Sequence, residues 1–159
     1  MSKLKHFLAV LFALITVLLV SQRAEASHFR YGNISYTIPD PSAPRTVRFQ
    51  VTTAWRSDFI GSTTLNFGDG LSNPDTLGQT FASGNDATGL QYAFTQYVVT
   101  HTYAVAGQYT AQFNSCCRLS TLVNAADNSF RVEAKVDVSP GNTGNPVSLV
   151  PAIIQLQVG

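Results

Sequence analysis

The sequence predicts an all-β protein, a sandwich of two antiparallel sheets that follows a cleaved signal peptide. Three observations lead to this fold class. The chain begins with the pattern of a secretory signal. Beyond it, short stretches rich in β-branched and aromatic residues alternate with clusters of Gly, Pro, Asn and Asp. No stretch has the spacing of an amphipathic helix. The 159 residues, 45% of them hydrophobic, are enough to bury one core of ordinary size.

Residues 1–26 predict a secretory signal peptide. Lys3 and Lys5 precede an apolar run over 7–20, and a small-residue cleavage site, Ala-Glu-Ala, follows at 24–26. The alternative is a membrane anchor, but the run is shorter than the roughly 20 residues that a spanning helix needs, and no second run follows. We therefore expect a secreted or cell-surface protein with no transmembrane span in this chain.

The charge of the mature chain argues against nucleic-acid binding. Only 12% of the residues are charged, about half of the roughly 25% that is typical of soluble domains. Removal of residues 1–26 leaves seven basic and eight acidic residues and a net charge of −1, since Lys3, Lys5, Arg23 and Glu25 are lost. The remaining bases are scattered along the sequence, whereas phosphate binding needs them clustered.

Eight strands are predicted between the turn-forming clusters. Apolar and polar residues alternate most clearly over 47–51 and 130–138, so each of these strands is expected to pack one face on the core and to expose the other. The predicted strands are 31–38, 46–55, 63–67, 78–81, 92–103, 108–114, 130–138 and 153–158.

Residues 27–139 are expected to form the sandwich domain. The Pro-, Gly- and Asn-rich stretch at 140–146 is typical of a linker. The apolar residues after it predict the opening strand of a following module in a longer surface protein. An edge strand of the same sandwich is the alternative for this part of 140–159.

The two cysteines, Cys116 and Cys117, are adjacent and cannot join distant strands as the disulfides of small secreted domains do. Three states are open: a vicinal disulfide, two thiols of which one is buried, and pairing with another molecule. Structural zinc is not expected, because it takes four ligands. The stability of the domain must therefore come from packing.

Two motifs resemble those of the PKD module, an immunoglobulin-like extracellular β-sandwich. They are Phe-Gly-Asp-Gly at 67–70 and His-Thr-Tyr at 101–103, the latter followed by Gly107 and Tyr109. The resemblance implies that the Gly-Asp-Gly turn closes a hairpin, with Asp69 bonded to loop backbone, and that Tyr103 and Tyr109 lie on paired strands at one corner. The stretch between Gly70 and His101 is about twice the length usual in the family.

The segments at 27–36, 54–56 and 115–118 are similar to the first domain of large secreted or surface-anchored proteins in which cadherin-like or PKD-like repeats follow. This resemblance implies adhesion. We therefore expect a non-catalytic adhesion or spacer module, without catalytic residues, whose partner is an extracellular protein or glycan. Exposed edge strands make self-association a further expectation.

We expect no cofactor for this module, and the alternative is a structural calcium ion. Asp69, Asp75 and Asp86 carry oxygen ligands of the kind that calcium prefers. Their spacing matches no EF-hand loop, and Asp in loops forms turns without a metal. Both interpretations stay open.

Trp55 and Arg56, with Tyr92, Phe94 and Tyr97, suggest an aromatic platform for sugar stacking, which makes a carbohydrate-binding module the alternative function. The competing interpretation places Trp55 in the centre of the core.

A third function is a copper-dependent polysaccharide monooxygenase. It requires cleavage before His28, so that this N-terminal residue and His101 together hold the metal. The Ala-Glu-Ala site favours cleavage one residue earlier.

Overall fold

The computed structural model describes residues 28–86, 88–118 and 128–142, which fold into six β-strands. The predicted signal peptide and the predicted strand at 153–158 lie outside these residues. Within the described residues, no helix is long and apolar enough to cross a membrane. The strands are β1 (Phe29–Thr37), β2 (Thr46–Arg56), β3 (Gln79–Asn85), β4 (Gln91–Thr102), β5 (Gln108–Ser115) and β6 (Phe130–Asp137).

The strands form two antiparallel sheets. The larger sheet has the order β1-β2-β4-β3, and the smaller sheet pairs β5 with β6. Asn66 exchanges two backbone hydrogen bonds of 2.8 Å with Gln112 of β5 and so adds the extended segment 63–67 to the smaller sheet. With that segment counted as the third strand, the two sheets contain the ABED and CFG strand sets of an immunoglobulin-like sandwich.

The inward faces of the two sheets form the core. On β2 the alternation predicted at 47–51 is confirmed, because Val47, Phe49 and Val51 are buried while Arg48 and Gln50 are exposed. The same holds on β6, where the apolar side chains face the core and the charged ones face solvent. The predicted all-β sandwich is therefore confirmed. Its largest fully buried side chains are Trp55, Tyr103, Phe49, Phe113 and Leu65.

Two strand predictions need correction. The segment 63–67 forms isolated bridges with Thr76, Ser72 and Gln112 and no continuous ladder, because the neighbouring 71–76 loop doubles back on it. Strand β3 continues to Asn85, four residues beyond the predicted end, because the residues after Phe81 pair with β4 as far as Gln91.

The Gly-Asp-Gly turn and the two tyrosines meet at one corner, where the tyrosine rings stack with centroids 4.2 Å apart. Tyr103 directly follows β4 and Tyr109 is the second residue of β5, so they lie on different sheets and not on paired strands as expected. The Tyr109 hydroxyl donates to the Val105 carbonyl (2.8 Å), four residues upstream. This is the tyrosine corner of immunoglobulin-like sandwiches.

Candidate interaction surface

Aromatic side chains lie on the outer face of the larger sheet, at the end where β1 begins. Strand alternation puts Tyr31, Ala54 and Phe94 side by side, because Tyr31 pairs with Ala54 and Ala54 pairs with Phe94. Ala54 faces outward yet is completely buried. Large side chains therefore cover this part of the outer face, which in most one-sided sheets is polar.

Four of these rings form one group, which we call the aromatic cluster: Tyr31, Phe81, Tyr92 and Phe94. The Phe94 ring is central, with centroid distances of 5.6 Å to Tyr92, 5.9 Å to Phe81 and 6.5 Å to Tyr31. Three of the rings are partly buried, and Phe81 is 59% exposed. Phe81 lies at an irregularity in the pairing of β3 with β4, between Thr80 and Ala82.

An ion pair fixes one border of the aromatic cluster. Arg30 Nη1 donates to Asp86 Oδ2 over 2.6 Å, and the guanidinium carbon lies 5.9 Å from the centre of the Tyr92 ring. Asp86 Oδ1 also accepts hydrogen bonds from Thr88 and from the Leu90 amide. The bonds from Arg30 and Thr88 hold the pKa of Asp86 well below its usual range. This network joins β1 to the β3–β4 turn.

The edge strand β3 borders the cluster on the other side. Its sequence, Gln-Thr-Phe-Ala-Ser-Gly-Asn, contains no charged residue and no proline, which are the residues that commonly protect an edge. Its second edge is unpaired among the described strands. The strand and its flanking loops also carry large apolar side chains that are exposed to solvent: Leu71, Leu77, Phe81 and Leu90.

The three aspartates predicted to bind calcium have three separate sets of partners. Asp69 Oδ2 lies 2.7 Å from His101 Nε2, Asp75 accepts a hydrogen bond from Ser62, and Asp86 pairs with Arg30. In the part of the chain that the structure describes, no three His, Cys, Asp or Glu side chains group closely enough to hold a metal ion. A calcium site at these aspartates stays a prediction.

Trp55 lies in the core, with 1% of its surface exposed, and its indole N–H donates to Thr53 Oγ1 (2.7 Å). Arg56, the next residue, lies on the other face of β2 and pairs with Asp58 through two bonds of 2.6 and 2.8 Å. Sugar stacking needs an exposed ring face, which Trp55 does not offer in this conformation. Sugar binding through these two residues stays a prediction.

The two-histidine copper site is not formed. His101 is paired with Val47 at one end of β2, whereas the His28 carbonyl accepts the amide of Arg56 at the other end. Val47 and Arg56 are nine positions apart along extended strand, a distance of roughly 30 Å. His28 stacks on Phe59 with ring centroids 4.5 Å apart, and His101 bonds to Asp69. The copper-enzyme prediction is therefore corrected.

Cys116 and Cys117 form a disulfide with each other, the first of the three states considered. The Cys117 carbonyl accepts a hydrogen bond from the Phe29 amide (3.4 Å), and the pair lines a small cavity with His28, Trp55 and Phe59. The disulfide therefore lies at the end of the sandwich where β1 begins.

Comparison with known proteins gives one family. A family model described as "Integrin beta-like protein A-E, N-terminal" matches residues 30–139. The chain is similar to Integrin beta-like protein C of Dictyostelium discoideum, with 31% identity over 92% of this chain and 8% of that protein. It is also similar to Integrin beta-like protein B of the same organism, with 26% identity over 93% of this chain and 8% of that protein.

Integrin beta-like protein E, also of Dictyostelium discoideum, is 35% identical over 58% of this chain and 5% of its own length. The chain thus spans less than a tenth of the curated relatives it matches. No solved structure matches.

Proposed function

The chain belongs to the family of integrin beta-like protein A-E N-terminal regions, and on that premise we propose that it is a non-catalytic extracellular adhesion module. It docks a partner protein on the aromatic cluster and the adjoining edge strand β3. Residues 27–139 make up the module, residues 1–26 direct secretion, and residues 140–159 lead towards further modules at the cell surface. The names of the relatives support a surface role.

The observation that carries the proposal is the concentration of exposed apolar side chains at β3. A spacer module needs only a stable sandwich with a polar surface. Here an uncharged edge strand, an exposed Phe81 and three exposed leucines from 71 to 90 lie in one stretch of chain. Exposed apolar groups beside an unprotected edge favour contact with another protein, because they add apolar burial to main-chain hydrogen bonding. Adhesion is therefore favoured over spacing.

Carbohydrate binding is the second candidate. It is favoured by the Tyr92, Phe94 and Phe81 rings, which lie together at the open outer face of a sheet. Aromatic rings offer sugars an apolar stacking surface. On this view the platform is the aromatic cluster and not Trp55.

The PKD-like classification is also a proposal. It is supported by the positive φ of Gly68 and Gly70, by the hydrogen bond from the Leu71 amide to Asp69 Oδ1 and by the stacked corner tyrosines. The immunoglobulin-like strand order is shared by many module families and does not separate them.

Beads coated with the secreted chain test the proposed function. We measure bead aggregation and bead attachment to Dictyostelium discoideum cells, with beads carrying an unrelated β-sandwich as the baseline. Phe81→Ser is expected to reduce attachment severalfold, because loss of a ring from an interface removes much of its apolar burial. Val105→Ser is the matched control, since Val105 is 66% exposed and Phe81 59%, and Val105 lies in the turn after β4.

Attachment no greater than the baseline would indicate a spacer module and would contradict the proposal. Attachment that a panel of soluble glycans abolishes would favour the second candidate. Equal losses in the two variants would show that the surface is not β3.

A further inference from the structure

The starts of β1 and β6 lie together, at the edge of the larger sheet opposite β3. A cleft of about 470 Å³ opens there between the two strands, a size within the range of ligand sites. Arg30, Arg118 and Arg131 line it, together with Phe29 and Phe130. No acidic side chain is among the described residues that line the cleft.

The positive charge of this cleft is unusual for the chain. The mature sequence holds seven Lys and Arg residues, and three of them meet at this one cleft. Position along the chain does not indicate this cluster, because Arg30 and Arg118 are 88 positions apart. They come together because Phe29 forms a parallel bridge with Arg118, and because the Arg118 amide donates to the Asn128 carbonyl (3.0 Å).

Two of the three arginines have donor capacity left for a ligand in the cleft. The Arg30 guanidinium pairs with Asp86 and lies near the Tyr92 ring on the outer face of the larger sheet, so its donors are not assigned to the cleft. Arg131 pairs with Glu133 at 2.8 Å, but both side chains are about half exposed, and such pairs contribute little and open easily. Arg118 has no ionic partner among the described residues.

The walls of the cleft favour an extended peptide as the occupant. Strand β6 has a strand neighbour on one side only, and β1 has a free second edge beyond Phe29, where Arg118 forms a parallel bridge. Both strands therefore present a free edge among the described strands. An extended segment can add its backbone to such an edge, while side chains on one of its faces enter the neighbouring cleft. Guanidinium groups bind carboxylates through paired, charge-assisted hydrogen bonds.

We propose that the arginine-lined cleft between β1 and β6 binds an acidic, extended segment of a partner protein, with the partner's Asp or Glu carboxylates on Arg118 and Arg131. This site is separate from the β3 surface and does not depend on it. It gives the module two recognition surfaces on opposite edges of the larger sheet.

The test is a binding titration of the secreted chain with a fluorescent peptide of alternating Val and Glu, of about eight residues to match β6. A Val and Gln peptide of the same length is the neutral comparison, and a heparin fragment represents sulfated glycans. We expect the acidic peptide alone to bind, less tightly as salt rises. The double variant Arg118→Gln/Arg131→Gln is expected to bind about tenfold or more weakly.

Arg48→Gln is the matched control, because Arg48 is an exposed base on the outer face of β2, away from the cleft. Both variants change surface side chains, and equal melting temperatures will verify that they fold. Amide hydrogen exchange measures the strand addition, and slower exchange along β1 or β6 with the peptide bound supports it.

The proposal is overturned if the acidic peptide does not bind, if the double variant binds it equally well, or if it binds without slower exchange at β1 or β6. Binding of the heparin fragment in place of the peptide would identify a sulfated-glycan site and would also overturn it. The double variant should keep the bead attachment that Phe81→Ser reduces, so failure of either proposal can be recognised separately.

Discussion

The two corner tyrosines differ in burial, so their hydroxyl groups should contribute differently to the free energy of unfolding. The Tyr103 hydroxyl is buried and donates to the Phe67 carbonyl (2.8 Å), whereas Tyr109 makes its bond to Val105 at the surface. Burial raises the pKa of Tyr103, so its hydroxyl remains a donor well above neutral pH. Removal of the Tyr103 hydroxyl leaves a buried carbonyl without that partner.

Tyr103→Phe is therefore expected to lower the free energy of unfolding by about 1–3 kcal/mol, and Tyr109→Phe by about 1 kcal/mol or less. Urea denaturation of the two variants measures the difference. An equal cost, or a larger cost at Tyr109, would mean that the surface bond holds the corner.

The Asp69–His101 pair makes stability depend on pH. Its side chains are 15% and 10% exposed, and the His101 ring also stacks on Phe67 with centroids 4.0 Å apart. Burial raises the pKa of Asp69, but the hydrogen bonds from His101 and the Leu71 amide outweigh burial and lower it below the usual value. A carboxyl with a lowered folded pKa stabilises the protein above its unfolded pKa, about 4, and loses that effect as pH falls through the folded pKa.

Asp69→Asn should thus lower the melting temperature at pH 6, and the gap to the wild type should shrink below about pH 4. Gly70→Ala is the control, because it changes the same turn without changing a titratable group, and its gap should not vary with pH. A gap for Asp69→Asn that stays constant from pH 6 to pH 3 would contradict the predicted role of the Asp69 carboxylate.

At the scale of elements, the Gly-Asp-Gly turn shows why two similar glycines are not equivalent. Both have positive φ, 90° at Gly68 and 92° at Gly70. A Cβ on Gly68 would lie 2.6 Å from the Thr110 carbonyl oxygen of β5, whereas a Cβ on Gly70 would meet nothing within 4 Å. The turn packs its first glycine directly on the backbone of the smaller sheet.

Gly70→Ala should cost about 1–2 kcal/mol, the conformational penalty alone. Gly68→Ala should cost about 1–3 kcal/mol more, because the backbone must also move apart. Thermal denaturation of both variants tests this. Similar costs would indicate that the turn is not held against β5.

The strands that the sequence predicts are those in which apolar and polar residues alternate within the segment itself. Alternation over 47–51 and 130–138 identified two strands and their buried faces, because one face of each packs on the core. The short 63–67 segment has the same local pattern, yet it forms isolated bridges. The reason is that the 71–76 loop folds back on it and takes up some of its backbone hydrogen bonds. The strand propensity of a segment does not show which of its backbone N–H and C=O groups remain free to pair with a neighbouring strand.

The candidate surface was less predictable because it depends on strand register. Residue type alone points to Tyr92 and Phe94, but Phe81 and Arg30 join them only through the pairing of β1, β2, β4 and β3. The separation of His28 from His101 also follows from register, since the two residues match opposite ends of β2. An alternation of aromatic residues at 92 and 94 was the one available signal.

At the scale of the whole molecule, stability should come from the packing of the two sheets and hardly at all from the disulfide. In the chain-entropy view a disulfide stabilises by restricting the unfolded chain, and the effect grows with the loop it closes. A disulfide between adjacent residues closes the shortest possible loop, so it should add about 1 kcal/mol to the free energy of unfolding. The core, by contrast, contains side chains such as Leu65 that are completely buried.

Reduction of the Cys116–Cys117 bond, or the double variant Cys116→Ser/Cys117→Ser, should therefore lower the free energy of unfolding by about 1 kcal/mol or less. Leu65→Ala should lower it by about 2–5 kcal/mol, since the deleted methyl groups leave a cavity in the core. Urea unfolding of the wild type with and without reductant, beside Leu65→Ala, makes the comparison. Reduction should lower the free energy of unfolding less than Leu65→Ala does if the core alone holds the sheets together. An equal loss would mean that the end of the sandwich, where the Cys117 carbonyl accepts the Phe29 amide, also holds them.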